Sequence, residues 1–143
     1  MYNKPALSSS DVEFLLDAAK KYALDMGWNV SIAVCDDGGH ALGMLRMDGA
    51  APFSAHMCAA KSRTAALCRK ESKHYEEVIN LGRPAFLSAP VLEGMIEGGV
   101  NVVIDGCSVG AVGVSGVKSA EDAQIAKAAI ELLLEDLEKK EKK

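Results

Sequence analysis

One lysine stands where helical patterning leaves little room for a charge. Lys61 lies in the run from Arg46 to Ala66, RMDGAAPFSAHMCAAKSRTAA, which ends a strand, turns at Asp48-Gly49 and becomes a helix. On a wheel of about 3.6 residues per turn, Met57, Cys58, Ala60, Ala65, Leu67 and Cys68 fill one broad arc. Lys61 and Ser54 fall in its middle, whereas His56, Arg63 and Lys70 lie toward the opposite side. An inward ammonium needs a partner, because desolvation without pairing is costly. Asp48, at the turn before the helix, is the nearest candidate in sequence; Asp122 and the end of the first helix are others. Such a lysine either ties its helix to a neighbour, snorkels past the stripe, or lines a pocket and binds an anionic group. It would be a poor nucleophile, since carboxylate partners keep it charged.

The segment GAVGVSG, Gly110 to Gly116, is the second feature. Its glycines fall just before a helix start, where backbone N–H groups favour anions. The spacing is neither a Walker loop nor a dinucleotide fingerprint. Gly110 and Gly113 read best as positions where a helix approaches the sheet, Gly110 above all, and Ser115-Gly116 as a ligand contact. Gly98-Gly99 either brings backbone donors to the same pocket or loosens the start of a strand. Of the histidines, His40 adjoins a turn, His56 lies on the polar edge of its helix, and His74 adjoins Tyr75 in the least legible part of the chain. No histidine spacing suits a metal site. Cys35, Cys58, Cys68 and Cys107 form no C-x-x-C pair and read as reduced thiols.

These residues must be positioned by few elements. Ser10 and Glu13 form a capping box for a helix ending at Gly27, with Val12, Leu15, Ala19, Tyr22 and Met26 inward. Asn29–Cys35 and His40–Met47 read as a hairpin around Asp36-Asp37-Gly38-Gly39, with Val30, Ile32 and Val34 on one face. A helix runs from about Pro52 to Lys70, and a shorter one spans Tyr75–Asn80. The stretch from Pro90 to Gly99 reads as a loop with a brief helical turn. Val100–Ile104 and Cys107–Val114 form a second hairpin at Asp105-Gly106. Ser119 caps the last helix, whose stripe of Ala123, Ala126, Ile130, Leu133 and Leu137 serves a core or a subunit interface. Two hairpins separated by helices predict an α+β fold with an antiparallel sheet, in one domain spanning residues 1–143.

The 143 residues carry a net charge of −4, and 49% are hydrophobic. No basic stripe marks a nucleic-acid surface. No stretch is long enough to span a bilayer, and no signal-peptide core stands at the N-terminus, so the expected location is cytoplasmic.

Several of these segments together resemble the GlcG/HbpS-like family, often labelled haem-degrading and related to the carboxy-terminal domain of PduO-type proteins. They are the Arg46–Ala66 run, Gly98-Gly99, IDGCSVGAVGVSG and EDAQIAKAA. The matching positions are Arg46, Asp48, Gly49, Ala50, Ser54, Lys61, Thr64, Gly98, Gly99, Asp105, Gly106, Gly110, Gly113, Ser115, Gly116 and Asp122. The resemblance implies a profilin-like domain with helices flanking an antiparallel sheet, assembled as a homo-oligomer, a dimer or higher. Asn101 stands where the family commonly has proline, and no histidine falls on a motif position.

Three functions follow. The first is binding of a small ligand, haem or a related tetrapyrrole, with haem-degrading activity as an optional addition and His56 and His74 as candidate iron ligands. The second is an enzyme of small-molecule catabolism, a hydrolase or isomerase of a small carboxylate. There Lys61, Asp48 and Ser115 would be catalytic, and Arg46, Ser54, Gly98, Gly99, Asn101 and Gly116 would bind ligand. The third is an oligomeric accessory subunit.

Overall fold

The computed structural model describes residues 1–142. Helix α1 (Ser9–Met26) precedes a hairpin of β1 (Ser31–Asp36) and β2 (Ala41–Arg46). Helices α2 (Pro52–Cys68) and α3 (Ser72–Asn80) follow, then a 3-10 turn at Pro84–Ser88. A second hairpin, β3 (Gly99–Ile104) and β4 (Cys107–Ser115), leads into α4 (Ser119–Glu141). The strands form one antiparallel sheet in the order β2-β1-β4-β3, so the two hairpins join through their β1 and β4 strands. The expected α+β architecture is the one observed. No helix among the described residues is long and apolar enough to cross a membrane.

The two sheet faces are built from different residues. Ile32, Val34, Val102, Val112 and Val114 face α1 and α4, where Val12, Leu15, Ala19, Ile125, Ala126, Ala129 and Leu133 complete the core. The alternate residues Ser31, Ala33, Cys35, Ala111, Gly113 and Ser115 are also buried, because α2 covers the other face. The alternation expected of β1 therefore separates two buried faces rather than a buried and a solvated one, the small Ser31, Ala33 and Cys35 lying under α2. The stripe on α4 goes to this core, since Ala123, Ala126, Ile130 and Leu133 are all buried.

Small residues let α2 approach the sheet through its backbone. A Cβ on Gly113 would lie 2.1 Å from the Cys58 carbonyl oxygen and 2.6 Å from the Ser62 nitrogen. Gly113, not Gly110, is thus the close-approach position for the helix. A Cβ on Gly110 would instead meet the Cys35 carbonyl oxygen of the adjacent strand at 2.2 Å.

The ends of the elements differ from the sequence reading in small ways. Ser8, not Ser10, caps α1: its hydroxyl accepts from Asp11 N, and the Asp11 carboxylate accepts from Ser8 N. Both Ser8 and Ser10 stand three residues before an acid; the helix begins at Ser9, so Ser8 with Asp11 is the pair at its end and Ser10 lies in the first turn. At α4, Ser119 lies inside the first turn, and acids satisfy the free donors. Glu121 accepts from Lys118 N, and Asp122 accepts from Val117 N. Helix α3 starts at Ser72, whose hydroxyl accepts from Gly99 N at 2.8 Å and donates to Ile96 O at 2.6 Å.

Candidate functional site

Lys61 is as deeply buried as its place on the wheel implies, at 2% exposure. Its ammonium donates to Asp122 Oδ2 at 3.1 Å and to the Val114 carbonyl at 3.0 Å. It therefore ties α2 to the end of β4 and to the first turn of α4. Gly98 makes room for it: a Cβ there would lie 2.8 Å from Lys61 Nζ, and the backbone adopts φ +136°. Asp122 spends its second oxygen on Val117 N at 3.1 Å. Burial pushes the Asp122 carboxyl above the ordinary carboxylate value, and Lys61 acts in the opposite direction.

Asp48 is not part of this arrangement. It is exposed at the strand-to-helix turn and lines a surface depression of about 250 Å³ with Lys20, Asn29 and Arg46. Of the partners weighed from sequence, Asp122 is the one that neutralises Lys61. Sequence distance misleads here because the acid that reaches Lys61 comes only after β4.

The other predicted ligand contacts also serve packing. Ser54 shares a 2.8 Å hydrogen bond with Ser31 and donates to Ala51 O. Asn101 donates its amide to the Ala65 carbonyl at 2.6 Å, pinning β3 to α2. A Cβ on Gly99 would meet the Lys61 carbonyl oxygen at 2.2 Å, and one on Gly116 the Asn29 carbonyl oxygen at 2.7 Å. Ser115 is buried at the end of β4, backbone-paired with Ser31. Lys61, Gly98 and Asp122 thus come together, with the Val114 carbonyl beside Ser115 among them, while Arg46 and Asp48 lie apart.

The thiols are placed for packing too. Burial raises the Cys58 thiol to about 11, and burial likewise raises Cys35, which donates to Ser62 O.

The histidines separate. His40 sits 3.1 Å from the Asp36 carboxylate. His56 is exposed on α2, and His74 is exposed on α3. His74 alone joins an aromatic group, which the sequence reading did not assemble. Its ring meets Tyr75 edge-on, with centroids 5.0 Å apart, and Tyr75 meets Phe86 at 5.3 Å. The Arg83 guanidinium lies 5.2 Å from the Phe86 ring centre. Only the His74-Tyr75 pair was legible beforehand, because Arg83 and Phe86 return to α3 through the 3-10 turn. Among the described residues, no group of three or more histidine, cysteine, aspartate and glutamate side chains is arranged to hold a metal ion.

Comparison with known proteins adds to this geometry. A family model described as "Haem degrading protein HbpS-like" matches residues 7–131. Protein GlcG of Escherichia coli K12 is 51% identical over 115 residues, covering 80% of this chain and 85% of GlcG. The structure of a double mutant of Streptomyces reticuli HbpS superposes with a TM-score of 0.85 at 28% identity, covering 93% of this chain and 90% of that one. A structure described as a PduOC–haem complex gives a TM-score of 0.80 at 27% identity, covering 88% of this chain and 94% of that one.

Proposed function

This chain belongs to the HbpS-like family, and from that premise we propose that it binds haem or a related tetrapyrrole. The observation that carries the reading is the likeness, over most of both chains, to the PduOC structure described as a haem complex. The reading includes a cytoplasmic, homo-oligomeric protein. The profilin-like arrangement belongs to it as well, supported by helices on both faces of the β2-β1-β4-β3 sheet.

The residues present fit such a group. Haem, when bound, supplies an iron with axial positions that one imidazole can fill, so no multi-residue metal cluster is required. His56 and His74 are exposed imidazoles, whereas His40 is engaged by Asp36. A tetrapyrrole also needs a flat apolar surface and cations for its carboxylates. Arginine stacked on an aromatic ring offers both, and Arg83 on Phe86 has that form.

The enzyme alternative draws less support. Its catalytic set needs Lys61, Asp48 and Ser115 in one pocket, and Lys61 is instead held by Asp122 and the Val114 carbonyl.

Titration of the purified chain with hemin tests the proposal. A saturable shift of the Soret band at a defined stoichiometry is expected. A spectrum equal to that of free hemin at stoichiometric protein overturns it.

A further inference from the structure

We propose that the face formed by α3 and the following 3-10 turn, carrying His74, Tyr75, Arg83 and Phe86, is the binding site for a flat aromatic dianion of the haem class. The inference rests on the tetrapyrrole reading above and assigns it a surface.

Ring contacts run from His74 through Tyr75 to Phe86, so two aromatic rings flank the route from the imidazole to Arg83. Around them the segment exposes Leu81, Leu87 and Val91, at 87%, 68% and 61%. That much exposed apolar surface beside an aromatic pair marks an interaction site more readily than a solvated turn. The shape is shallow. The depression beside Arg83, Ala85, Phe86, Ser88 and Ala89 holds about 230 Å³. Enclosed sites for ligands of drug size hold about 300–1,000 Å³. The ligand therefore lies against this face with one side open, which suits reversible exchange.

The charges agree. Four of the nearby acids already have partners: Glu77 and Glu97 lie within 4 Å of Lys73, Glu71 pairs with Lys127 at 3.0 Å, and Glu76 accepts from Glu97 N; Glu93, exposed two residues after Val91, is the remaining acid of this segment. Among the described residues, no carboxylate lies within ion-pair distance of Arg83. Its guanidinium is stacked, oriented and free to take a ligand carboxylate. His74 offers a ring nitrogen at the opposite end of the aromatic run.

The test titrates the full chain with hemin and, separately, with iron-free protoporphyrin IX. His74→Ala should weaken hemin binding about tenfold and move the Soret band, while protoporphyrin binding changes less than about twofold. Arg83→Gln and Phe86→Ala should each weaken both ligands, and His56→Ala neither. Circular dichroism and melting temperature establish that each variant is folded. If hemin binds the His74→Ala and Arg83→Gln variants as it binds the native chain, this surface is the wrong one and the tetrapyrrole reading stands. Loss of binding on His56→Ala instead has the same meaning. Failure of the native chain to bind either porphyrin overturns the reading and this site together.

Discussion

Lys61 and Asp122 approach to 3.1 Å from helices that pack on opposite faces of the sheet. The lysine passes the end of the sheet beside Gly98, and the aspartate caps the backbone leading into α4. One ion pair therefore joins both layers of helices to the last residues of β4. Removing one partner leaves a buried, uncompensated charge, the costly case for such pairs.

Lys61→Met should destabilise the chain by about 3–5 kcal/mol at neutral pH, measured by urea unfolding. Adding Asp122→Asn to it should recover part of the loss. Equal losses in the single and double variants would contradict the assignment of Asp122 as the partner.

The pH dependence has a definite sign. Burial holds the Asp122 carboxyl above its unfolded value, with Lys61 opposing. The folded chain then keeps a proton over a range in which the unfolded chain has released it. The stability due to this group is full below the ordinary carboxylate range and declines as pH rises through the raised value. In Lys61→Met, where the Val117 N–H opposes burial without the ammonium, the deficit should shrink on acidification from neutral pH. Unfolding midpoints of the two proteins between pH 7 and 4 should converge; a constant gap would contradict the argument.

Gly113→Ala should cost about 1–3 kcal/mol, the usual range for overpacking. The new methyl has only the α2 backbone at Cys58 and Ser62 to push against. An alanine at exposed Gly82, where no atom lies within 4 Å, meets no such obstacle, although its φ of +112° adds backbone strain. Thermal unfolding of Gly113→Ala near the native midpoint would show that α2 stands farther from the sheet.

Ser8→Ala should lose about 0.5–2 kcal/mol by removing the α1 cap, while Ser10→Ala should stay within about 0.5 kcal/mol. The reverse order in urea melts would restore the capping box at Ser10-Glu13.

Alkylation of the native chain near pH 8 should modify Cys68 and Cys107, which are partly exposed, before Cys35 and Cys58. Buried thiols with raised values carry little thiolate. Peptide mass spectrometry after a short iodoacetamide pulse reads the order; early labelling of Cys58 would contradict its placement.

Helical periodicity alone put Lys61 and Ser54 on the inward face of α2, and both are buried. It could not choose among Asp48, Asp122 and the end of α1, because a partner 61 residues away is fixed by strand order. The strands and the turn at Asp105-Gly106 were legible from β-branched runs and glycine. Two-sided burial of β1 was not, since small residues facing α2 carry no hydrophobic signature. The face of α3 was legible only in part: His74 and Tyr75 are neighbours in sequence, while Arg83 and Phe86 arrive through a proline-led turn that breaks every period.

The unequal faces of the sheet have a consequence for how this sequence can drift. On the side of α1 and α4, valines, isoleucines and leucines interdigitate, and one can be exchanged for another as neighbours change rotamer. On the side of α2, glycine, alanine and serine bring main chain against main chain, with no rotamer to yield. Substitutions that enlarge a residue should be survivable on the first side and eliminated on the second. A saturation library should therefore return varied side chains from one surface of the sheet and nearly the starting residues from the other.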